Sequence, residues 1–478
     1  MNPRIANPVL AALIRGGGFR SLERFACAVN TRGCEMYGLK LFYDHVTVKR
    51  WLEGRLCQNP EVVAAVLSKA WGIPIPVEVV WPEMRDGQGP VPAYQQAWVA
   101  VRTLDDLGAL IGSDMLTRRE ILAGSMGVAT GSTLIDPLAR WLGAEPVGLP
   151  EPSEAKRRIG MEEVDNIAAA IKHFAALDAK AGGGLSREAA VGQLKYAVDL
   201  TRYASYSDEV GNRLLATIAG LSGLVGWMCH DSGMPGPAQK YLLYGLQAAR
   251  ESTDERAPLL AVRILGDLGQ HARWAGHNGT AVRLFDMALG QLPPGRDRFN
   301  LTRAIVTSNK AQSLCHLGRT SVPEVRSAVG LSSDLHAQAT DEERTAIANL
   351  PHRSIDMSEP ELAAKASEAY LVLAREDPRL FAEADELGRH SLAGIALGFG
   401  RNKVLAQVRL ARLRFVAGEP DQACDDCEHA LTMVGNTKSS MVTTRLRDLL
   451  GDTEPYQKLP RVRELRERVQ ATLLKQGS

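Results

Sequence analysis

An internal repeat constrains the fold of this 478-residue chain more than any other feature. In each copy a glycine is followed five residues later by a small residue or proline, and seven residues after that by alanine or glycine and then leucine. The first three copies begin 42 or 43 residues apart. The four copies are Gly233-Ala238-Gly245-Leu246, Gly276-Ala281-Ala288-Leu289, Gly318-Pro323-Gly330-Leu331 and Gly418-Ala423-Ala430-Leu431.

The spacing of the repeat has a physical reason. Glycine ends the first helix of a hairpin, and the small residue lets the second helix pack closely on the first. The alanine and leucine lie two turns further along the same helical face. One hairpin cannot bury its apolar face alone, so stacked copies share a core. We therefore predict an all-α stack of about five hairpins from residue 159 to 478, with a charged capping helix at about 460–474.

A short helix at 43–55 (YDHVTVKRWLEGR) is the second informative stretch. Val48 and Trp51 fall on one face of this helix, and Gly54 is a suitable residue to end it. Side chains on the remaining faces can reach phosphates or base edges in the major groove. The candidate DNA-binding residues are His45, Thr47, Lys49, Arg50, Arg55 and Lys40.

The distribution of charge supports this assignment of the N-terminal segment. Residues 1–75 carry ten Lys/Arg against five Asp/Glu, whereas the remaining 403 residues carry 46 against 50. A basic segment on a slightly acidic body is typical of a DNA-binding domain attached to a domain that does not bind DNA. Residues 76–158, with two Pro-rich stretches, are predicted to be a linker with connecting helices.

The N-terminal helices resemble the helix-turn-helix domain of lambda-repressor/Xre-type regulators. Phe25 and Ala26 stand where that family has an apolar residue and a small alanine in its first helix. Residues 47–54 match its recognition helix, and residues 60–73 match the helix that follows. The departure is the connection at 30–42, which we predict to be a loop about ten residues longer than the family's turn. The resemblance covers about 75 residues.

The repeats resemble the tetratricopeptide repeat (TPR), although their period exceeds the usual 34 residues. Ala238-Gln239-Lys240-Tyr241-Leu242 and Ala281-Val282-Arg283-Leu284-Phe285 match the second helix of that repeat. The whole arrangement is similar to streptomycete regulators that combine a helix-turn-helix with such repeats and repress sporulation and antibiotic production. The resemblance implies a cytoplasmic, nucleoid-associated repressor that binds promoter DNA. It also implies a protein, peptide or small ligand on the concave face of the repeats.

Further expectations concern assembly and alternative functions. One short helix contacts few bases, so we expect a homodimer. The seven scattered cysteines indicate a reducing compartment, and we expect no membrane span, cofactor, metal or catalytic group. The twin-arginine pattern at 117–124 is interpreted as part of a connecting helix, and the Cys424/Cys427 pair as packing inside a repeat helix. An interaction scaffold that does not bind DNA is the alternative function, and an enzyme built on a helical solenoid is a third.

Overall fold

The fold is all-α and divides into two compact units. The computed structural model describes residues 7–16, 18–19, 21–37, 41–53, 55, 57, 59–71, 80–81, 100–116, 128–142, 157–181, 186–293, 299–318, 322–351, 358–395, 400–434 and 439–476. Within them lie 21 α-helices and two two-residue strands. The head unit comprises Met1–Gln96 with Leu116–Gly127, and the body unit comprises Ala97–Met115 with Val128–Ser478.

Four helices of the head unit enclose one apolar core. They are α1 (Pro8–Gly16), α2 (Leu22–Tyr37), α3 (His45–Leu52) and α4 (Pro60–Trp71). Val80 and Trp81, within the stretch predicted to be linker, are buried in this core. The side-chain amide of Asn7 donates to the carbonyl of Val80 at 2.7 Å, which ties this stretch to the start of α1.

The prediction of a long loop at 30–42 is wrong over most of that range. Helix α2 continues to Tyr37, and only residues 41–44 are described as non-helical connection. Gly33 is tolerated inside this helix because Leu41 packs over it, and a Cβ at Gly33 would lie 2.5 Å from Leu41 Cδ1. The packing of a returning segment therefore outweighs the weak helix propensity of glycine.

The body unit contains the other seventeen described helices. They begin with α5 (Ala100–Leu116), α6 (Ser132–Leu142), α7 (Met161–Ala181), α8 (Arg187–Tyr203), α9 (Asp208–Asp231), α10 (Pro235–Glu251), α11 (Ala257–Trp274) and α12 (Asn278–Gly290). They continue with α13 (Asn300–Leu314), α14 (Val322–Ala337), α15 (Asp341–Ala348), α16 (Glu359–Ala374), α17 (Phe381–Gly394), α18 (Gly400–Ala417), α19 (Pro420–Val434), α20 (Ser440–Asp452) and α21 (Pro460–Gln476). Strands β1 (Arg157–Arg158) and β2 (Ala204–Ser205) pair in parallel.

The predicted hairpins are present at all four copies of the repeat. The pairs are α9 with α10, α11 with α12, α13 with α14, and α18 with α19. The repeat glycines Gly233, Gly276, Gly318 and Gly418 all adopt positive φ between the two helices of their hairpin. A fifth hairpin, between the third and fourth copies of the repeat, is formed by α16 and α17. The helix expected at about 460–474 is α21, with Val462, Leu465 and Val469 buried.

The first helices of successive hairpins contact each other in a closed series, which we call the inner ring. The series runs α9, α11, α13, α16, α18, α20 and back to α9, and α7 contacts both α9 and α18. Arg401 on α18 reaches Asp178 on α7 at 3.4 Å and Asp231 at the end of α9 at 2.9 Å. All three side chains are buried, so an ion cluster closes the ring.

Helix α9 alone, among the described helices, is long and apolar enough to match a membrane span by length and composition. Its apolar window is 94% buried inside the body unit. This burial accounts for the apolar composition, because α9 is surrounded by α7, α8, α10 and α11.

Candidate nucleic-acid interface

Helix α3 begins at a well-formed N-cap. The carboxylate of Asp44 accepts hydrogen bonds from Thr47 N at 2.8 Å and from Thr47 Oγ1 at 2.7 Å. Those bonds lower the pKa of Asp44, because they stabilise its ionised form. The cap satisfies a backbone N–H that would otherwise lack a partner, so α3 starts at a defined residue.

The inner face of α3 anchors the helix in the head core. Val48 is fully buried and Trp51 is 3% exposed. The ring of Trp51 meets the ring of Tyr43 edge-on at a centroid distance of 4.9 Å and that of Trp81 at 6.3 Å. The prediction that Val48 and Trp51 share an apolar face is therefore confirmed. Phe25 and Ala26 of α2 are buried in the same core.

Tyr43, two residues before α3, is held from two sides. The side chain of Asn30 donates to the carbonyl of Tyr43 at 2.8 Å and accepts from its backbone N–H at 2.9 Å. On the other side, Asn59 Nδ2 donates to the Tyr43 hydroxyl at 2.7 Å. These bonds connect the start of α3 to α2 and to the start of α4, and they fix the orientation of the short helix.

The outer face of α3 presents most of the predicted DNA-binding side chains to solvent. His45, Lys49 and Arg50 are exposed, and Arg55 is exposed just beyond the helix. Two acidic side chains lie beside this face: His45 Nδ1 is 3.6 Å from Glu23, and Lys49 Nζ is 4.0 Å from Glu53. Contacts this exposed and this long are weak, so both side chains remain available to an external ligand.

The remaining predicted site residues are placed differently. Thr47 is half-buried, and its hydroxyl donates to Asp44 as part of the cap. Its position favours a capping role over a reach toward base edges. Lys40 and Gly54 lie outside the residues that the structure describes.

Two exposed apolar residues, one in α3 and one just before it, were missed by the sequence reasoning. Phe42 is 87% exposed and Val46 is 41% exposed. Val46 lies one turn before Arg50, on the outer face. The sequence could have indicated that Val46 is exposed, because helical periodicity places it on a different face from Val48 and Trp51. An apolar side chain at such a place can contact the methyl group of thymine.

Among the described residues, no group of three or more His, Cys, Asp or Glu side chains could hold a metal ion. Cys424 and Cys427 are buried on the inward face of α19, where burial raises the pKa of both thiols. Their packing position is the one that the repeat pattern predicts.

These features define an all-α protein with a four-helix head unit and a larger body unit of helical hairpins. Residues 10–80 match the family model described as the SP15 N-terminal domain. The matched segment runs from α1 to Val80 and so contains α3 and the residues that anchor it. Neither a curated protein nor a solved structure gives a significant match to the chain.

Proposed function

We propose that the chain is a DNA-binding transcription regulator. The head unit acts as a helix-turn-helix domain whose recognition helix is α3, and the body unit acts as a TPR-like sensor. By its resemblance to streptomycete helix-turn-helix regulators, the protein represses development and antibiotic production as a cytoplasmic homodimer.

One observation carries the proposal. The outer face of α3 exposes His45, Val46, Lys49 and Arg50, while the opposite face is fixed by buried aromatic packing. Lys49 and Arg50 can neutralise phosphates or donate to guanine O6 and N7, and Val46 can meet a thymine methyl group. A short rigid helix with cationic and apolar groups on its free face fits the major groove.

The test compares full-length protein with the double variant Lys49→Ala/Arg50→Ala on fragments of its own promoter. We expect the variant to lose specific retardation of the DNA. For any residual binding, the slope of the logarithm of the binding constant against the logarithm of the salt concentration should become shallower by about 0.9 per lost phosphate contact. The double variant Lys458→Ala/Arg463→Ala in the body unit removes the same charge and serves as the control. Equal DNA binding by the α3 variant and wild type contradicts the proposal.

The alternative function is an interaction scaffold that does not bind DNA. The acidic neighbours Glu23 and Glu53 favour it, because they reduce the positive potential of the α3 face. A scaffold would show no DNA binding at any salt concentration below that of the cell. Salt-dependent binding by the wild type therefore separates the two functions.

A further inference from the structure

The inner ring of the body unit surrounds a small polar cavity. The cavity encloses about 50 Å³, enough for a few water molecules or one oxyanion. Trp274, Leu405, Arg409 and Arg445 are only half-buried, so the cavity reaches solvent. Its lining residues are Arg273, Trp274, Gln312, Glu368, Leu405, Arg409 and Arg445.

Arg273 is a buried cation with an incomplete set of partners. The residue is 8% exposed, and its Nε donates to Gln270 at 2.9 Å. Among the described residues, no carboxylate oxygen lies within 4.0 Å of its guanidinium nitrogens. Burial, aided by the charge of Arg445, lowers the pKa of Arg273 to about 10. Arg273 therefore stays charged at neutral pH, at the cost of its desolvation.

Only one carboxylate in the lining offsets the three guanidinium groups. Glu368 accepts from Arg409 at 3.2 Å and from Arg445 at 2.9 Å. Burial would raise the pKa of Glu368, but Arg445 and its neighbouring arginines outweigh this effect and lower it. Glu368 is therefore ionised, and the lining carries three positive charges and one negative charge.

Two of the lining arginines are left with spare donor capacity. Arg409 Nη1 is buried and has no hydrogen-bond partner in the described part of the chain. Two guanidinium groups stack on the ring of Trp274, with the Cζ atoms of Arg273 at 4.8 Å and Arg445 at 4.4 Å from the ring centroid. This stacking holds both planar cations in place. Arg445 already donates to Glu368 and to Asp448, so the spare donors at the cavity are mainly those of Arg273 and Arg409.

We propose that this cavity is a binding site for the phosphate group of a small molecule, held by Arg273, Arg409 and Arg445. The excess of arginines over carboxylates favours an anion even with Asp448 paired to Arg445, and planar guanidinium groups bind phosphate oxygens in bidentate pairs. The volume admits one phosphate group and excludes a folded partner. The ligand is then the effector that the body unit senses. That role rests on the proposed function, whereas phosphate binding itself does not.

The test measures the binding of inorganic phosphate to full-length protein by calorimetry, without DNA, in chloride buffer of matched ionic strength. We expect saturable binding by the wild type and at least a tenfold weaker affinity for the variant Arg273→Met. The variant Arg283→Met removes an exposed arginine on α12 and should bind phosphate as the wild type does. A parallel titration with glycerol 3-phosphate shows whether a phosphate group attached to a small organic molecule binds more tightly than inorganic phosphate.

Thermal denaturation separates a ligand site from a structural role. Since Arg273 is buried without a carboxylate, Arg273→Met should leave the Tm unchanged or raised in phosphate-free buffer, and should abolish the rise in Tm that phosphate gives the wild type. No phosphate binding by the wild type, or equal binding by Arg273→Met, overturns the site. Because DNA is absent from both experiments, failure here leaves the proposed function to its own test.

Discussion

Asn30 and Tyr43 are joined by a pair of hydrogen bonds in which one side-chain amide satisfies both backbone groups of the other residue, at 2.8 and 2.9 Å. Asn30 belongs to α2, and Tyr43 immediately precedes Asp44, the N-cap residue of α3. A side chain from the middle of one helix thus sets where the next one starts.

Replacing Asn30 should loosen α3 without unfolding the body unit. Each lost hydrogen bond costs about 0.5–1.5 kcal/mol, so Asn30→Ala should destabilise the α3 segment by about 1–3 kcal/mol. Hydrogen exchange of the full-length protein should then accelerate in residues 41–52. The variant Asn30→Asp keeps the acceptor for the Tyr43 N–H and should show a smaller increase. Unchanged exchange in both variants would mean that the pair does not hold α3.

Val46 should contribute to the choice of base sequence if α3 enters the major groove. On promoter DNA in which thymine is replaced by uracil, the wild type should bind more weakly, because the methyl group is missing. The variant Val46→Ser should bind both DNAs with similar affinity, as measured by fluorescence anisotropy. A wild type that does not distinguish the two DNAs argues against contact between Val46 and thymine.

Gly276 and Gly279 should respond in opposite directions to the same substitution. Gly276 has a φ of +83°, and a Cβ there meets nothing within 4 Å, so Gly276→Ala introduces backbone strain alone. The expected loss of stability is about 1–2 kcal/mol. Gly279 lies inside α12 with equal space around it, and Gly279→Ala should stabilise by up to about 1 kcal/mol. Urea denaturation measures both changes in stability. If the two substitutions change the stability in the same direction, backbone strain at Gly276 does not determine its effect.

His271 should make the body unit less stable in mild acid. Burial and the nearby His230 and His277 lower the pKa of His271 from 6.5 to about 3. Between these two pH values the unfolded chain binds a proton that the folded chain does not, so stability falls as the pH decreases below 6.5. The loss should reach about 1.4 kcal/mol at pH 5.5.

Urea denaturation at pH 7.5 and 5.5 measures this contribution of His271. The variant His271→Asn should reduce the difference between the two pH values. His390 is half-exposed on α17, so His390→Asn should leave the difference as it is in the wild type. If both variants behave as the wild type does, His271 is not the group that titrates.

Arg401 should be essential for closing the inner ring. It is buried against Asp178 and Asp231, and removing one partner of a buried ion cluster typically costs about 3–5 kcal/mol. Arg401→Ala should lower the urea midpoint by a corresponding amount. Arg379→Ala, which removes an exposed pair with Asp377, should have little effect. A small loss for Arg401→Ala would indicate that apolar packing alone closes the ring.

The sequence predicted the features that depend on local pattern. The repeat glycines mark hairpin turns because the left-handed conformation strongly favours glycine, and the apolar spacing of Val48 and Trp51 defines the buried face of α3. Sequence reasoning failed where a distant segment decides the outcome. Gly33 suggested a break in α2, yet the packing of Leu41 over it keeps the residue helical.

The closure of the inner ring and its cavity could not be predicted for the same reason. Arg401 and Asp178 are 223 residues apart in the chain, and no periodicity relates them. Arg273, Glu368 and Arg445 belong to three different hairpins, and each alone resembles an ordinary charged helix residue. Only the curvature of the stack brings them together around one cavity.

The contact between Arg401 and Asp178 has a consequence for how the body unit loses its structure. An open row of hairpins can fray from either terminus, one hairpin at a time, because each contacts only its neighbours. In a closed ring, elements that are distant in sequence support each other, so α7 and α18 cannot separate without breaking the buried ion cluster. Helix α7 and the hairpin of α18 and α19 should therefore melt in a single cooperative transition, although 223 residues separate Asp178 from Arg401.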